Sequence, residues 1–128
     1  MAREFIVPGR IISGTGALET AKTILKKMGK KALIVTDKVM VELGNCAKAE
    51  QILAEEGIAY SICSEITGEP TDIMIEKGLK QYREENCDFL IALGGGSPID
   101  SMKAIGSLVE NGGNISDYMG KEIDVKMP

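Results

Sequence analysis

Short apolar runs alternate with helical stripes along this chain of 128 residues. Ala17, Leu18, Ala21, Ile24, Leu25 and Met28 recur at the spacing of one helix face, and Gly29 follows where helices commonly close on a glycine. Ala32-Leu33-Ile34-Val35 is an unbroken apolar run ending at Thr36-Asp37, the pattern of a strand buried on both faces of a parallel sheet. A second helix is expected from about Cys46 to Glu56, capped by Asn45, striped by Ala49, Ile52 and Leu53, and ended by Gly57. Ile58, Tyr60 and Ile62 alternate as in a strand nearer the sheet edge. Thr71 or Asp72 opens another helix, with Ile75, Leu79 and Tyr82 on one face and an end near Asn86. Phe89 to Leu93 reads as a further buried strand that runs straight into Gly94-Gly95-Gly96-Ser97-Pro98. The helix after it turns Met102, Ile105 and Val109 inward and ends at Asn111-Gly112-Gly113.

Strand and helix thus alternate several times. That rhythm implies right-handed βαβ units, and so an α/β fold with an open parallel sheet and helices on both faces. The length suits one domain, 1–128, and no linker or repeat interrupts it.

Composition narrows the chemistry. Apolar residues make up 44% and charged residues 27%, as in a water-soluble globular protein. There is no histidine, which excludes a Ser-His-Asp triad, a Cys-His pair, an imidazole base and any His-containing metal site. A net charge of −4 argues against nucleic acid and anionic membranes as partners. The one basic stretch, Lys22, Lys26, Lys27, Lys30 and Lys31, fits favourable charge at a helix C-terminus. Cys46, Cys63 and Cys87 are widely spaced and odd in number, which suggests reduced, buried thiols in a cytoplasmic protein. The first residues carry no signal-peptide core, and no apolar run is long enough to span a bilayer.

The sharpest feature is the turn from Gly94 to Asp100, between the end of a strand and the start of a helix. Open α/β sheets bind ligands at that end. Glycines let the backbone approach a bulky anion, and the free N–H groups of a first helical turn favour phosphate. Pro98 suits a first helical position. Ser97 and Asp100 also match a capping box, so a well-capped helix is the competing explanation. Asp100 itself would repel a phosphate and is expected to cap, or to contact a ribose, a nicotinamide amide or a cation.

Two look-alikes are weaker. There is no P-loop pattern. Gly14-Thr15-Gly16 begins like a dinucleotide fingerprint, with Asp37 about 20 residues on, but Glu19 stands where the third glycine belongs. Asp37, at the tip of its strand, could accept both hydroxyls of an adenosine ribose and repel a 2′-phosphate. It could equally be a solvated loop acid or the cap of the next turn.

Gly94-Gly95-Gly96-Ser97-Pro98-Ile99-Asp100-Ser101-Met102-Lys103-Ala104 resembles the Gly-Gly-Gly-Ser-x-x-Asp-x-x-Lys-Ala motif of iron-containing (group III) alcohol dehydrogenases. Cys87 to Ala92, Gly14 to Ala17, Leu33 to Lys38 and Glu69-Pro70-Thr71 fit the same family in the same order. The resemblance implies a Rossmann-like, dehydroquinate synthase-like N-terminal domain that binds a nicotinamide dinucleotide. Asp37 would meet the adenosine ribose, the backbone from Gly94 through Gly95 and Gly96 to Ser97 would cradle the pyrophosphate, and Asp100 would lie beside the cofactor. NAD is expected over NADP on account of Asp37, with Lys38 beside it acting against that preference. Relatives often carry Asn-Pro-Thr where this chain has Glu69-Pro70-Thr71, so a contact from position 69 is not carried over.

In such relatives one Asp and three His on a C-terminal helical domain hold iron. This histidine-free chain is therefore expected to be the cofactor part alone, before its last strand and without the metal domain that meets the small alcohol or aldehyde. It is expected to contain no catalytic residue and no metal ligand, and to turn over no alcohol by itself. A stand-alone nucleotide- or phosphate-binding module, and a glycerol dehydrogenase-like or dehydroquinate synthase-like domain, are the alternatives. Phe5-Ile6-Val7 and Ile11-Ile12 could pair as edge strands across a homodimer.

Overall fold

The computed structural model describes residues 10–112. Helices α1 (Ala17–Thr20) and α2 (Lys22–Met28) lead into strand β1 (Lys31–Val35). A short helix α3 (Lys38–Glu42) and a longer α4 (Asn45–Glu55) precede β2 (Ala59–Cys63). Helix α5 (Asp72–Glu84), strand β3 (Phe89–Ala92) and helix α6 (Gly96–Asn111) follow. The strands form a parallel sheet in the order β2-β1-β3, the α/β arrangement expected from the sequence.

Strand β1 lies at the centre, and Ala32 to Val35 are completely buried. Alternate side chains serve opposite faces of the sheet. Leu33 and Val35 join Cys63, Ile75, Tyr82, Ile105 and Leu108 under α5 and α6. Ala32 and Ile34 join Cys46, Leu53, Ile58 and Phe89 under α4, with Leu25 of α2 against them. Both faces are therefore covered, which is why β1 can be apolar at every position. Strand β3 is less buried than its sequence suggests: only Phe89 is fully enclosed. Among the described residues β3 has a neighbour on one side only.

The helix expected over residues 17–28 carries a hitch at Ala21 that separates α1 from α2. Lys22 bridges the pair to α4, with its Nζ 2.6 Å from both Glu19 and Glu55. Gly29 does end α2, but with extended backbone (φ 169) and not as a left-handed cap. Packing explains the glycine. A Cβ there would collide with the Asp88 carboxylate and lie 2.8 Å from the Phe89 ring. Gly78 plays a like part on α5, where a Cβ would press on Ile105 of α6.

Asn45 does not cap α4. It is the first helical residue, Gly44 precedes it at φ 80, and its side-chain amide donates to the Met40 sulfur at 3.5 Å. Thr71 does cap α5, accepting the Met74 N–H at 3.3 Å. Residues 10–13 form no strand within the chain. Phe5-Ile6-Val7 and Gly113 lie outside the described residues.

The Asp88 carboxylate clasps the start of β1. It accepts the N–H of Lys30 at 2.8 Å and that of Lys31 at 2.9 Å. Desolvation would raise the Asp88 pKa, but these backbone hydrogen bonds outweigh it and hold the carboxyl below the ordinary Asp range. A folded-state value below the unfolded one stabilises the fold above the usual Asp value of about 3.9, and the contribution is lost as pH falls through the lowered value. Asp88→Ala is expected to cost about 1 kcal/mol at pH 7. Urea unfolding should show the gap to wild type narrowing below about pH 4, and an equal gap at all pH values would refute the clasp.

Candidate functional site

All three strands deliver their C-terminal ends to one place. The Thr36 N–H donates to the Cys63 carbonyl at 2.9 Å, and the Leu93 N–H donates to that of Val35 at 3.0 Å. The Thr36 hydroxyl donates to the Leu93 carbonyl at 2.8 Å. Thr36 is completely buried, whereas the sequence pattern marks it only as the end of a strand. A buried hydroxyl closing an apolar run was the available signal, since such a group needs a partner.

A cleft of about 390 Å³ opens over this junction. Asp37, Lys38 and Val39 line it after β1, Ile66, Thr67 and Gly68 after β2, and Gly95 to Pro98 after β3. A second cleft of about 350 Å³ shares Lys38 and Thr67 with the first and extends toward Thr71 and Lys77. The structure thus brings Asp37, Gly95, Gly96 and Ser97 to one cavity. Gly94 lies just behind it, where an added Cβ would sit 3.4 Å from the Asp37 Oδ2. Asp100 is exposed on α6 and does not line either cleft. The Gly14-x-Gly16 turn is elsewhere, in a separate cleft of about 480 Å³ against α4 with Lys48 and Gln51.

The three glycines differ. Gly94 has φ 133, and a side chain there would also lie 3.1 Å from Pro98. Gly95 has ordinary backbone angles (φ −85), Gly96 is already helical, and a Cβ on either would meet nothing within 4 Å. Neither conformation nor packing within the described residues calls for glycine at 95 or 96. Their missing side chains leave open space in the cleft wall.

The capping box expected from Ser97 and Asp100 is not formed. Helix α6 begins at Gly96, Gly95 is its cap, and no side chain caps it. Ser97 is the second helical residue and Pro98 the third, because the chain turns helical earlier than the Ser-x-x-Asp pattern implies. The N–H groups of Gly95, Gly96 and Ser97 therefore meet no acceptor among the described residues. They converge with the positive end of a 16-residue helix, an arrangement that favours an anion. One turn on, Ser101 is fully buried, and its hydroxyl has no partner among the described residues.

Asp37 caps α3: its Oδ1 accepts the Met40 N–H at 2.8 Å. That is the helix-cap reading left open above, and it leaves the Oδ2 beside Gly94 at the cleft. Among the described residues no cluster of three or more His, Cys, Asp or Glu could hold an ion. Cys46, Cys63 and Cys87 are buried free thiols, all pushed upward in pKa by burial. No described helix is long and apolar enough to cross a membrane.

Residues 8–128 match the family described as iron-containing alcohol dehydrogenase. The NAD-dependent methanol dehydrogenase of Bacillus methanolicus is 38% identical over 117 residues, 91% of this chain and 31% of that protein. The lactaldehyde reductase of Escherichia coli K12 is 38% identical over 112 residues, 87% of this chain and 29% of that one. A crystal structure of a 1,3-propanediol oxidoreductase superposes with a TM-score of 0.94 at 32% identity, over 100% of this chain and 34% of that one. The chain spans about a third of the length of these relatives.

Gly94→Ala is expected to cost about 1–3 kcal/mol, because alanine is strained at that φ. Gly95→Ala is expected to stay within about 0.5 kcal/mol of wild type. Urea unfolding of the two variants checks this, and equal losses would show that the turn needs glycine throughout for folding.

Proposed function

We propose that this chain, which belongs to the iron-containing alcohol dehydrogenase family, binds the nicotinamide dinucleotide of an enzyme that moves a hydride between a small alcohol and its aldehyde. The observation that carries the reading is the pair Gly95 and Gly96, whose absent side chains answer to nothing in the described protein. A group outside the chain that needs close backbone approach accounts for them. A dinucleotide fits: it brings a pyrophosphate for the unpartnered N–H groups and a ribose for the acceptor on Asp37.

The roles follow from chemistry already present. The N–H groups of Gly95, Gly96 and Ser97 hold the pyrophosphate at the start of α6. Gly94 keeps the wall thin beside Asp37, and the Asp37 Oδ2 accepts a ribose hydroxyl. Its negative charge disfavours a 2′-phosphate, so NAD is bound more tightly than NADP. Asp100 stands outside the cleft lining and enters the reading only as a neighbour of the bound cofactor. The dinucleotide, when bound, supplies the hydride acceptor. A crystal structure of the sulfoacetaldehyde reductase of Bifidobacterium kashiwanohense in complex with NAD+ shares the fold, with a TM-score of 0.80 at 26% identity.

Iron finds no set of three or more ligands among the described residues. None of the described residues is assigned to the substrate alcohol or to hydride transfer, and three buried free thiols fit a cytoplasmic protein. A second reading is a nucleotide-binding module without catalysis, since the cleft offers binding groups only. Under either reading this chain alone, with ferrous iron added, is expected to reduce no NAD at the expense of an alcohol, and measurable turnover would exclude the non-catalytic module.

NAD at a hundred times its dissociation constant should stabilise the fold by about 2.7 kcal/mol. Gly96→Glu should abolish that gain by placing a carboxylate in the anion cradle, while leaving the unliganded protein folded. Thermal unfolding with and without NAD tests both, and undiminished stabilisation of the variant would overturn the cradle.

A further inference from the structure

The first cleft carries two charged side chains, Asp37 and Lys38, and they differ in how they are used. Asp37 is anchored by the Met40 N–H. The Lys38 side chain forms no ion pair or hydrogen bond among the described residues. The other lysine of the adjoining cleft, Lys77, pairs with Glu65 at 3.6 Å. Lys38 is also the first residue of α3, where a cation is on the unfavourable side of the helix electrostatics. Helix stability therefore does not call for it. Side chains in a first helical turn lean back over the N-terminus, which here is the mouth of the cleft. Lys38 and Thr67 line both clefts, so Lys38 stands between the ribose acceptor on Asp37 and the neighbouring space.

We propose that Lys38 is a specificity-determining residue: its ammonium binds a phosphate ester on the ligand's ribose, so that the site accepts a 2′-phosphorylated dinucleotide beside the unphosphorylated one. The proposal rests on the dinucleotide reading above. Asp37 repels the added phosphate and Lys38 attracts it from the adjacent position, with Thr67 at the same wall. The preference for NAD over NADP is then a matter of degree, set by two neighbouring residues of opposite sign.

Calorimetric titration of the protein with NAD and with NADP tests this. Lys38→Ala should lower the NADP-to-NAD affinity ratio about tenfold, the scale of one charge-assisted hydrogen bond. Lys38→Arg should retain most of the wild-type ratio. NADP binding to wild type should weaken with salt more steeply than NAD binding, and Lys38→Ala should flatten that difference. An unchanged ratio in Lys38→Ala, with NAD still bound, would overturn the role of Lys38 and leave the cofactor reading standing. No NADP binding to wild type, with NAD bound, would overturn it as well. Binding of neither dinucleotide would remove the cofactor reading and this proposal together.

Discussion

The buried hydroxyl of Thr36 holds the working end of the sheet together. Its residue donates twice, once through the backbone to the end of β2 and once through the side chain to the end of β3. A polar group enclosed among apolar side chains is costly unless it is paired, so the three strand ends are obliged to finish at one level. The loops that leave them then emerge side by side. Asp37, the segment after Ile66 and the glycine turn meet in one cleft because of that alignment.

Within the glycine turn, conformation and vacancy are divided between neighbours. Gly94 supplies a backbone angle and a thin wall behind Asp37. Gly95 and Gly96 supply absence only, and the unpartnered N–H groups next to that space give it a chemical preference. Helix α6 starts without a side-chain cap, as α1, α2 and α4 also do, so its first N–H groups stay open toward the cleft.

Much of this was readable in the sequence where the pattern reported burial directly. The run Ala32 to Val35 is apolar throughout because helices cover both faces, and Ile75 and Tyr82 of α5 are buried as spaced. Helix α3 escaped notice because Val39, Val41 and Leu43 are exposed at 57%, 45% and 66%, so its apolar residues mark no buried stripe. The Asn45 cap failed because Gly44 already supplies a left-handed turn, and the Ser97 capping box because helical geometry starts at Gly96. Gly29 shows another limit: its reason is Asp88, a contact across 59 residues of chain that local rules cannot see. Of the cleft, the glycines and Asp37 were legible from their position at strand ends. Thr67 and the Thr36 tie were not, because they depend on how the strands line up.

The cap that Asp37 provides for α3 has a consequence for recognition. A free surface carboxylate samples several rotamers and must be immobilised by whatever it binds, at about 0.5–1.5 kcal/mol for a flexible side chain. Here the hydrogen bond from Met40 has already frozen that freedom during folding. A hydroxyl-bearing molecule entering the cleft meets an acceptor that is stationary before it arrives, so selectivity at this point is a property of shape as much as of charge.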